Sequence, residues 1–472
     1  MTNQRTLIRT LGLGGVIVFV VTNILGSGVY KKIAPMASEL SSPTWILIAW
    51  VTAGVITLFG ALGNAEIAGM LADTGGEYVY IKKIYNRFIA FLYGWSLFTV
   101  IQSAAIASVA YVFAESLNNI ISLPEIFSSL NDYSIAGIFF PFQEFRIKLT
   151  AIIIIVIFTI LNISGLKTSA AFNKVMMLLV IAGLTTIIIA GLSNTTSNSG
   201  QINFTLHDHN TITLSSFYAA MLAAFWGYQG WVSVGFIGGE VKNPTKNLPK
   251  GIVIGVFIVI VIYLAINYTY LSILPVADLK QINDSGYQIA AVEAIRNIWG
   301  KGGALFISLL IVITTLSCTN ASILTGARPY YAMARDKLFF PALGKVNKNH
   351  VPGVSLLCQG VWSSVLILSG NFDQLTDMLV FTVFIFYGAT SLGVFILRYK
   401  MPNAHRPYKV WGYPFVPAIF VMVCVGLFFN TIFMRPREAA IGLTLMLAGV
   451  PVYYFLKKFY NNPNQPDTEP IT

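Results

Sequence analysis

The chain has 472 residues, 56% of them hydrophobic and 10% charged, with a formal net charge of +11. A mean hydropathy of +0.71 is beyond what a soluble globular chain of this length sustains, so an integral membrane protein is expected, with no room left for a soluble domain. The basic balance is read as a topology signal, because nucleic-acid binding would need a basic soluble domain.

Crossing a bilayer takes about 20 mainly apolar residues. Twelve such spans are predicted, at 11–37, 44–72, 87–119, 147–166, 168–193, 212–238, 250–275, 302–335, 353–370, 374–398, 413–433 and 436–457. Arg5 and Arg9 precede the first as they would in a signal peptide. That run is too long, lacks a small-residue cleavage pattern and leads into further spans, so it is read as retained. With the N-terminus placed in the cytoplasm, 21 of the 30 Lys and Arg but only 7 of the 19 Asp and Glu fall on the cytoplasmic side. Both termini are therefore expected there, in a multi-pass protein of the plasma membrane. Cys318, Cys358 and Cys424 all fall inside spans, where they form no disulfide framework and say nothing of redox compartment.

Two spans are interrupted. "NILGSGVY" puts Gly26, Ser27 and Gly28 in the middle of span one, and "FWGYQGW" puts Gly227 and Gly230 among large aromatics in span six. One such break is ordinarily a notch for close helix packing. Two at matching places in two groups of five spans point to a transporter's midplane binding site. Unwinding frees backbone N–H and C=O groups, which the bilayer tolerates only where they line a cavity or bind something polar. The half-helix beginning near Ser27 would offer N–H groups to a carboxylate, and the half-helix ending near Trp226 would offer carbonyls to a cation. A free amino acid carries both charges, whereas a sugar or an inorganic ion does not.

"GGEVKNPTKNLPKGI" at 238–252 resembles the cytoplasmic signature of the amino acid, polyamine and organocation (APC) superfamily. "GALGNAEIAGMLADTGGEYVYIKKIY", "ARPYYAMARDKLFFPALGKVN" and "RPYKVWGYPFVPA" extend the likeness from Leu11 to Tyr460. Within the superfamily the chain is most similar to the L-amino acid transporter family, whose mammalian members are the light subunits of heteromeric transporters. The resemblance implies an all-α membrane fold of twelve helices. Its core is a LeuT-type five-plus-five inverted repeat, repeat one at about 11–193 and repeat two at about 212–398, with two further helices at about 413–457. Residues 1–460 would form one polytopic domain, and the tail 461–472 reads as disordered.

The resemblance also implies site residues. Amides of Ser27 and Gly28 would hold the substrate carboxylate, with Gly26 permitting its approach. Carbonyls of Ile24, Trp226 and Gln229 would hold the α-amino group beside Gly227, and the Trp226 ring would close over the substrate. Lys174, in span five, reads from sequence alone as a lysine that extends its ammonium to the interface. The resemblance instead gives it the place where sodium-coupled relatives bind a cation, so no sodium is expected. Asn320 in span eight is a candidate for substrate contact or for interhelical hydrogen bonding.

A pocket for a cationic substrate would supply a carboxylate, because a buried unpaired charge is costly. Glu66 lies low in span two and Glu115 near the outer end of span three, neither of them mid-membrane, so neutral L-amino acids are expected. Glu66 reads as a partner for cytoplasmic loop backbone or basic residues. The loop from Asn119 to Arg146 lacks the cysteine that joins mammalian light subunits to a heavy subunit. No disulfide-linked heavy subunit is expected, which suits a stand-alone transporter of a prokaryotic inner membrane. His207 to His209 have metal-like spacing but stand in a polar outer loop and read as solvated, so no metal and no cofactor is expected. No phosphate loop or catalytic cluster is visible, so the chain is not expected to be an enzyme.

The expected function is sodium-independent exchange of neutral L-amino acids by alternating access. The alternatives are a proton-coupled or cationic amino acid permease, with Glu115 as a cation's partner, and a channel or polytopic membrane enzyme.

Overall fold

A computed structural model describes residues 9, 11–71, 75–135, 139–164, 166–193, 212–285 and 288–460, with the side chains of 166–174 outside that description. The expectations for the 461–472 tail and for His207 to His209 lie outside the described residues.

Span one is three helices. α1 (Leu13–Ile24) stops at an irregular stretch over Leu25, Gly26 and Ser27, and α2 (Gly28–Lys31) follows, running through Lys32 into α3 (Ile33–Leu40). α4 (Pro43–Met70) opens on Pro43, at a position where no N–H is needed. α5 (Glu77–Ile84) is a short helix between spans that the hydropathy pattern does not reveal. Asn86 caps α6 (Arg87–Ser96) by accepting from the Ile89 N–H. α6 continues into α7 (Gln102–Ile120) through a π-helical turn at Leu97–Ile101, which rotates the faces of the two halves relative to each other. α8 (Phe145–Ile163) and α9 (Leu166–Ser193) complete the first half.

Thr213 caps α10 (Leu214–Gly227), which breaks over residues 228–232 before the single turn α11 (Ser233–Phe236). α12 (Pro244–Ile273) leads to an outer helix, α13 (Val276–Ser285), also unseen in the sequence. α14 (Ala290–Arg335) is two helices joined at Gly300, whose φ of 61° an L side chain adopts only with strain. α15 (Gly353–Ser369) precedes α16 (Phe372–Lys400), which starts from a reciprocal capping box of Asn371 and Gln374. α17 (Phe415–Met434) is followed by α18 (Pro436–Leu447) and α19 (Gly449–Tyr460), which split the last predicted span. At that split Gly449 lies so near Trp95 that a Cβ there would stand 2.6 Å from the ring.

Among the described residues nine helices are long and apolar enough to cross a membrane, and three shorter apolar ones are Leu13–Ile24, Leu214–Gly227 and Gly353–Ser369. The first two of these are short because the breaks cut them. α12 and α14 pack on α1, with α4 behind α12 and α7 behind α14, and the α6–α7 rod is 89% buried over its most apolar stretch against 22% for α18–α19. The broken segments therefore lie among well-enclosed helices, with less buried rods outside them.

Candidate functional site

The two breaks touch, backbone to backbone. A Cβ built on Gly28 would stand 2.5 Å from the Gly227 Cα, and one on Gly230 would stand 2.4 Å from the Asn23 carbonyl oxygen. Gly230 also has a φ of 115°, in the region that favours glycine. Only residues without side chains let the rods approach this closely, and each glycine here serves the crossing.

Exposed backbone groups result. The N–H groups of Ser27 and Gly28 have no acceptor among the described residues. The Tyr263 hydroxyl, from α12, lies 2.9 Å from both the Ile24 and the Gly227 carbonyl oxygens and can donate to either. It ties the two broken rods to a third helix. The Trp226 carbonyl accepts from the Gln229 N–H at 3.1 Å, and the Gln229 side-chain oxygen accepts from the Tyr387 hydroxyl at 3.1 Å. The Trp226 indole N–H reaches back to the Ser27 hydroxyl at 3.3 Å, so the aromatic of one break covers the other.

A cavity of about 40 Å³ lies at this meeting point. Of the residues expected from sequence, Ile24, Gly26, Ser27, Gly28, Trp226 and Gln229 line it together. Gly227 stands just behind, against Trp50 and Tyr263. Asn320 is elsewhere. It is fully buried and accepts a hydrogen bond from Asn162 at 2.8 Å, joining α14 to α8. Cys318 and Ser322 line the cavity in its place. Residues i and i+4 share one helix face, and the residue midway between them points away from it. Lys174 lies on α9, but its side chain is outside the described residues.

The sequence reading missed the wall supplied by span three. Gln102, Ala105 and Val109 form a helical stripe on α7 that faces the cavity, placed there after the π-helical turn. Gln102 donates to the Ser322 carbonyl at 2.9 Å, fixing α7 against α14. A glutamine inside an apolar run was the one available signal.

The family described as amino acid permease matches residues 11–456. The chain belongs to the amino acid permease family. It is similar to the serine/threonine exchanger SteT of Bacillus subtilis, at 28% identity over 97% of this chain and 99% of that protein. It is also similar to the human cystine/glutamate transporter, at 26% identity over 92% and 82% of the two chains. The mouse b(0,+)-type amino acid transporter 1 is 25% identical over 96% of this chain and 88% of its own. The likeness to L-amino acid transporters holds, and the permease is a transporter, not an enzyme.

Glu66 and Glu115 are both held in ion pairs. Glu66 accepts from Arg398 at 2.6 Å and from the Val410 N–H at 2.7 Å, with Arg406 at 3.3 Å, as a structural partner of loop backbone and basic residues would. Glu115 is already bonded to Lys31 at 2.7 Å. Among the described residues no cluster of His, Cys, Asp and Glu is arranged to hold a metal ion, and Cys318, Cys358 and Cys424 are free.

Proposed function

We propose that this permease is a secondary transporter that exchanges neutral L-amino acids across the plasma membrane without sodium, by alternating access around the two broken rods. The observation that carries the reading is the contact of Gly28 with Gly227, which leaves the free Ser27 and Gly28 N–H groups beside carbonyls of the other rod at one cavity. A zwitterion is the small molecule that needs both. In this reading Ser27 and Gly28 take the carboxylate, and carbonyls of Ile24, Trp226 and Gln229 take the ammonium. Trp226 is the lid, and Lys174 stands where a coupling cation would otherwise sit.

The nine long and three shorter apolar helices support twelve spans. In this reading the first ten are a five-plus-five inverted repeat, and the uneven division of Lys and Arg places both termini in the cytoplasm. The small cavity and its mixed wall of Gln102, Cys318 and Ser322 with Ile101 and Val109 favour a short side chain, as the serine/threonine exchange named for the Bacillus relative also does. A cationic substrate is disfavoured because Glu115, its expected partner, already holds Lys31.

The test is counterflow in proteoliposomes. Labelled serine or alanine should enter vesicles preloaded with unlabelled amino acid, at a rate unchanged when potassium replaces sodium, and should not enter empty vesicles. Uptake into empty vesicles driven by a pH gradient would overturn the exchange mechanism.

A further inference from the structure

The face that span three turns to the substrate cavity is decided by the π-helical turn just before it. Such a turn holds one residue more than the α-helical turn it replaces. Here the Gln102 N–H donates to the Leu97 carbonyl, five residues back, where an α-helix would use Phe98. The Phe98 carbonyl is thereby released, and the Ser103 hydroxyl donates to it at 2.6 Å.

Two more donors arrive from other helices. The Tyr330 hydroxyl, on α14, donates to the Leu97 carbonyl at 3.2 Å, and the Trp362 indole N–H, on α15, donates to the Thr99 carbonyl at 2.9 Å. Three successive carbonyls of the turn thus each hold a side-chain donor. The Phe98 ring completes the clamp, stacking on Trp362 at a centroid distance of 6.3 Å and meeting Tyr330 edge-on at 5.4 Å. Ser103 and Tyr330 are fully buried, and none of the three donors lines the cavity.

One residue along an α-helix is about 100° of rotation and about 1.5 Å of rise. Gln102, Ala105 and Val109 face the cavity because the turn absorbs its extra residue. With Leu97–Ile101 wound as ordinary α-helix, each would move on by one position and its predecessor would take its place. Ser108 would replace Val109 and Ala104 would replace Ala105, neither of which lines the cavity now. Gln102 would leave the Ser322 carbonyl to which its amide donates at 2.9 Å.

We propose that Ser103, Tyr330 and Trp362 are positioning residues for the substrate: by clamping the π-helical turn they set which face of span three meets it. That the occupant of the cavity is an amino acid rests on the function proposed above; the register of span three does not.

Tyr330→Phe, Trp362→Phe and Ser103→Ala each remove one donor and keep most of the packing. Each such bond contributes on the order of fivefold to the balance between the two registers, and three together on the order of a hundredfold. Apparent affinity falls only as the competent fraction falls, so each single variant should weaken serine binding less than about twofold and the triple variant about tenfold or more. The concentration dependence of the serine-induced shift in thermal midpoint measures this. Deleting Val100, in the middle of the turn, removes the residue that must be absorbed, so the deletion should restore binding to the triple variant. Lost packing predicts the opposite, because a deletion cannot repair it. A folded triple variant that binds serine like the unaltered protein, or a loss that the folded deletion variant does not recover, would overturn the proposal.

A second readout needs neither ligand nor deletion. With Cys318, Cys358 and Cys424 replaced by Ala, methyl methanethiosulfonate should modify Val109→Cys and spare Ser108→Cys, and adding the three substitutions should reverse that preference. An unchanged preference would overturn the clamp even if the shortened chain does not fold. Serine that fails to bind the unaltered protein would instead count against the amino acid reading, and the labelling test would still decide the register.

Discussion

Glu77, the first residue of α5, is a carboxyl only 1% exposed. It accepts from the Tyr93 hydroxyl at 2.7 Å and from the Asn64 amide at 3.2 Å, and Thr390 of α16 lies beside it. Among the described residues no Lys, Arg or His pairs with it, so burial dominates and pushes its pKa up to about 7, with the hydrogen bonds opposing. The folded state thus holds a proton that the unfolded state gives up near pH 4.5. Stability from this group is complete below that pH, is lost as pH rises to about 7, and is constant above. At 1.36 kcal/mol per pK unit the loss is on the order of 3 kcal/mol. Glu77→Gln, which stays neutral, should therefore be more stable than the unaltered protein at pH 8 and similar at pH 4.5, read as thermal midpoints in detergent. A constant difference across that range would refute the assignment. Sequence did not reveal this group, because its burial depends on α4, α6 and α16 closing over it. Asn320 teaches the same lesson from the other side, since span eight was legible but not which face of it met the cavity.

At the scale of helices, both interruptions were legible because glycine in an enclosed rod needs a reason, and two at matching places share one. The π-helical turn at Leu97–Ile101 was not legible, since nothing in "LFTVI" distinguishes it from ordinary helix. Nor were α5 and α13, which are too short and polar to register in an apolar window. The glycines themselves are not equivalent. A Cβ on Gly26 would meet the Cys318 sulfur at 3.1 Å, a side-chain atom that can yield by a rotamer change, whereas one on Gly28 would meet Gly227 backbone at 2.5 Å. Backbone in a packed crossing cannot yield without separating the rods, and overpacking of that kind costs about 1–3 kcal/mol. Gly28→Ala should abolish amino acid binding. Gly26→Ala should only weaken it, and Cys318→Ala should restore binding to Gly26→Ala and not to Gly28→Ala. Ligand-induced shifts of the thermal midpoint measure this directly. Equal, unrescued losses at both glycines would mean the rods do not meet as described.

Across the whole molecule, the apolar runs marked every long helix among the described residues, but the ties that lock one end of the bundle lie between residues hundreds of positions apart. Span one's start is zipped to the segment after span six: the Leu11 N–H donates to the Glu240 carbonyl at 3.1 Å, and the Lys242 N–H to the Leu11 carbonyl at 2.7 Å. The Glu240 side chain, 1% exposed, accepts from the fully buried Arg328 of α14 at 3.2 Å. Arg328 also donates to the Leu324 carbonyl, and its remaining nitrogen has no partner among the described residues. One carboxylate thus neutralises a guanidinium that cannot reach water. Removing one partner of such a pair leaves an uncompensated charge and costs about 3–5 kcal/mol, whereas replacing both with apolar groups is often neutral. Glu240→Gln should therefore lower the thermal midpoint sharply or prevent recovery of folded protein. Adding Arg328→Met should restore most of the loss, because the stranded charge goes with it. If the double variant is no more stable than Glu240→Gln, the pair contributes through shape and not charge, and the zipper at Leu11 must hold this end of the bundle without it.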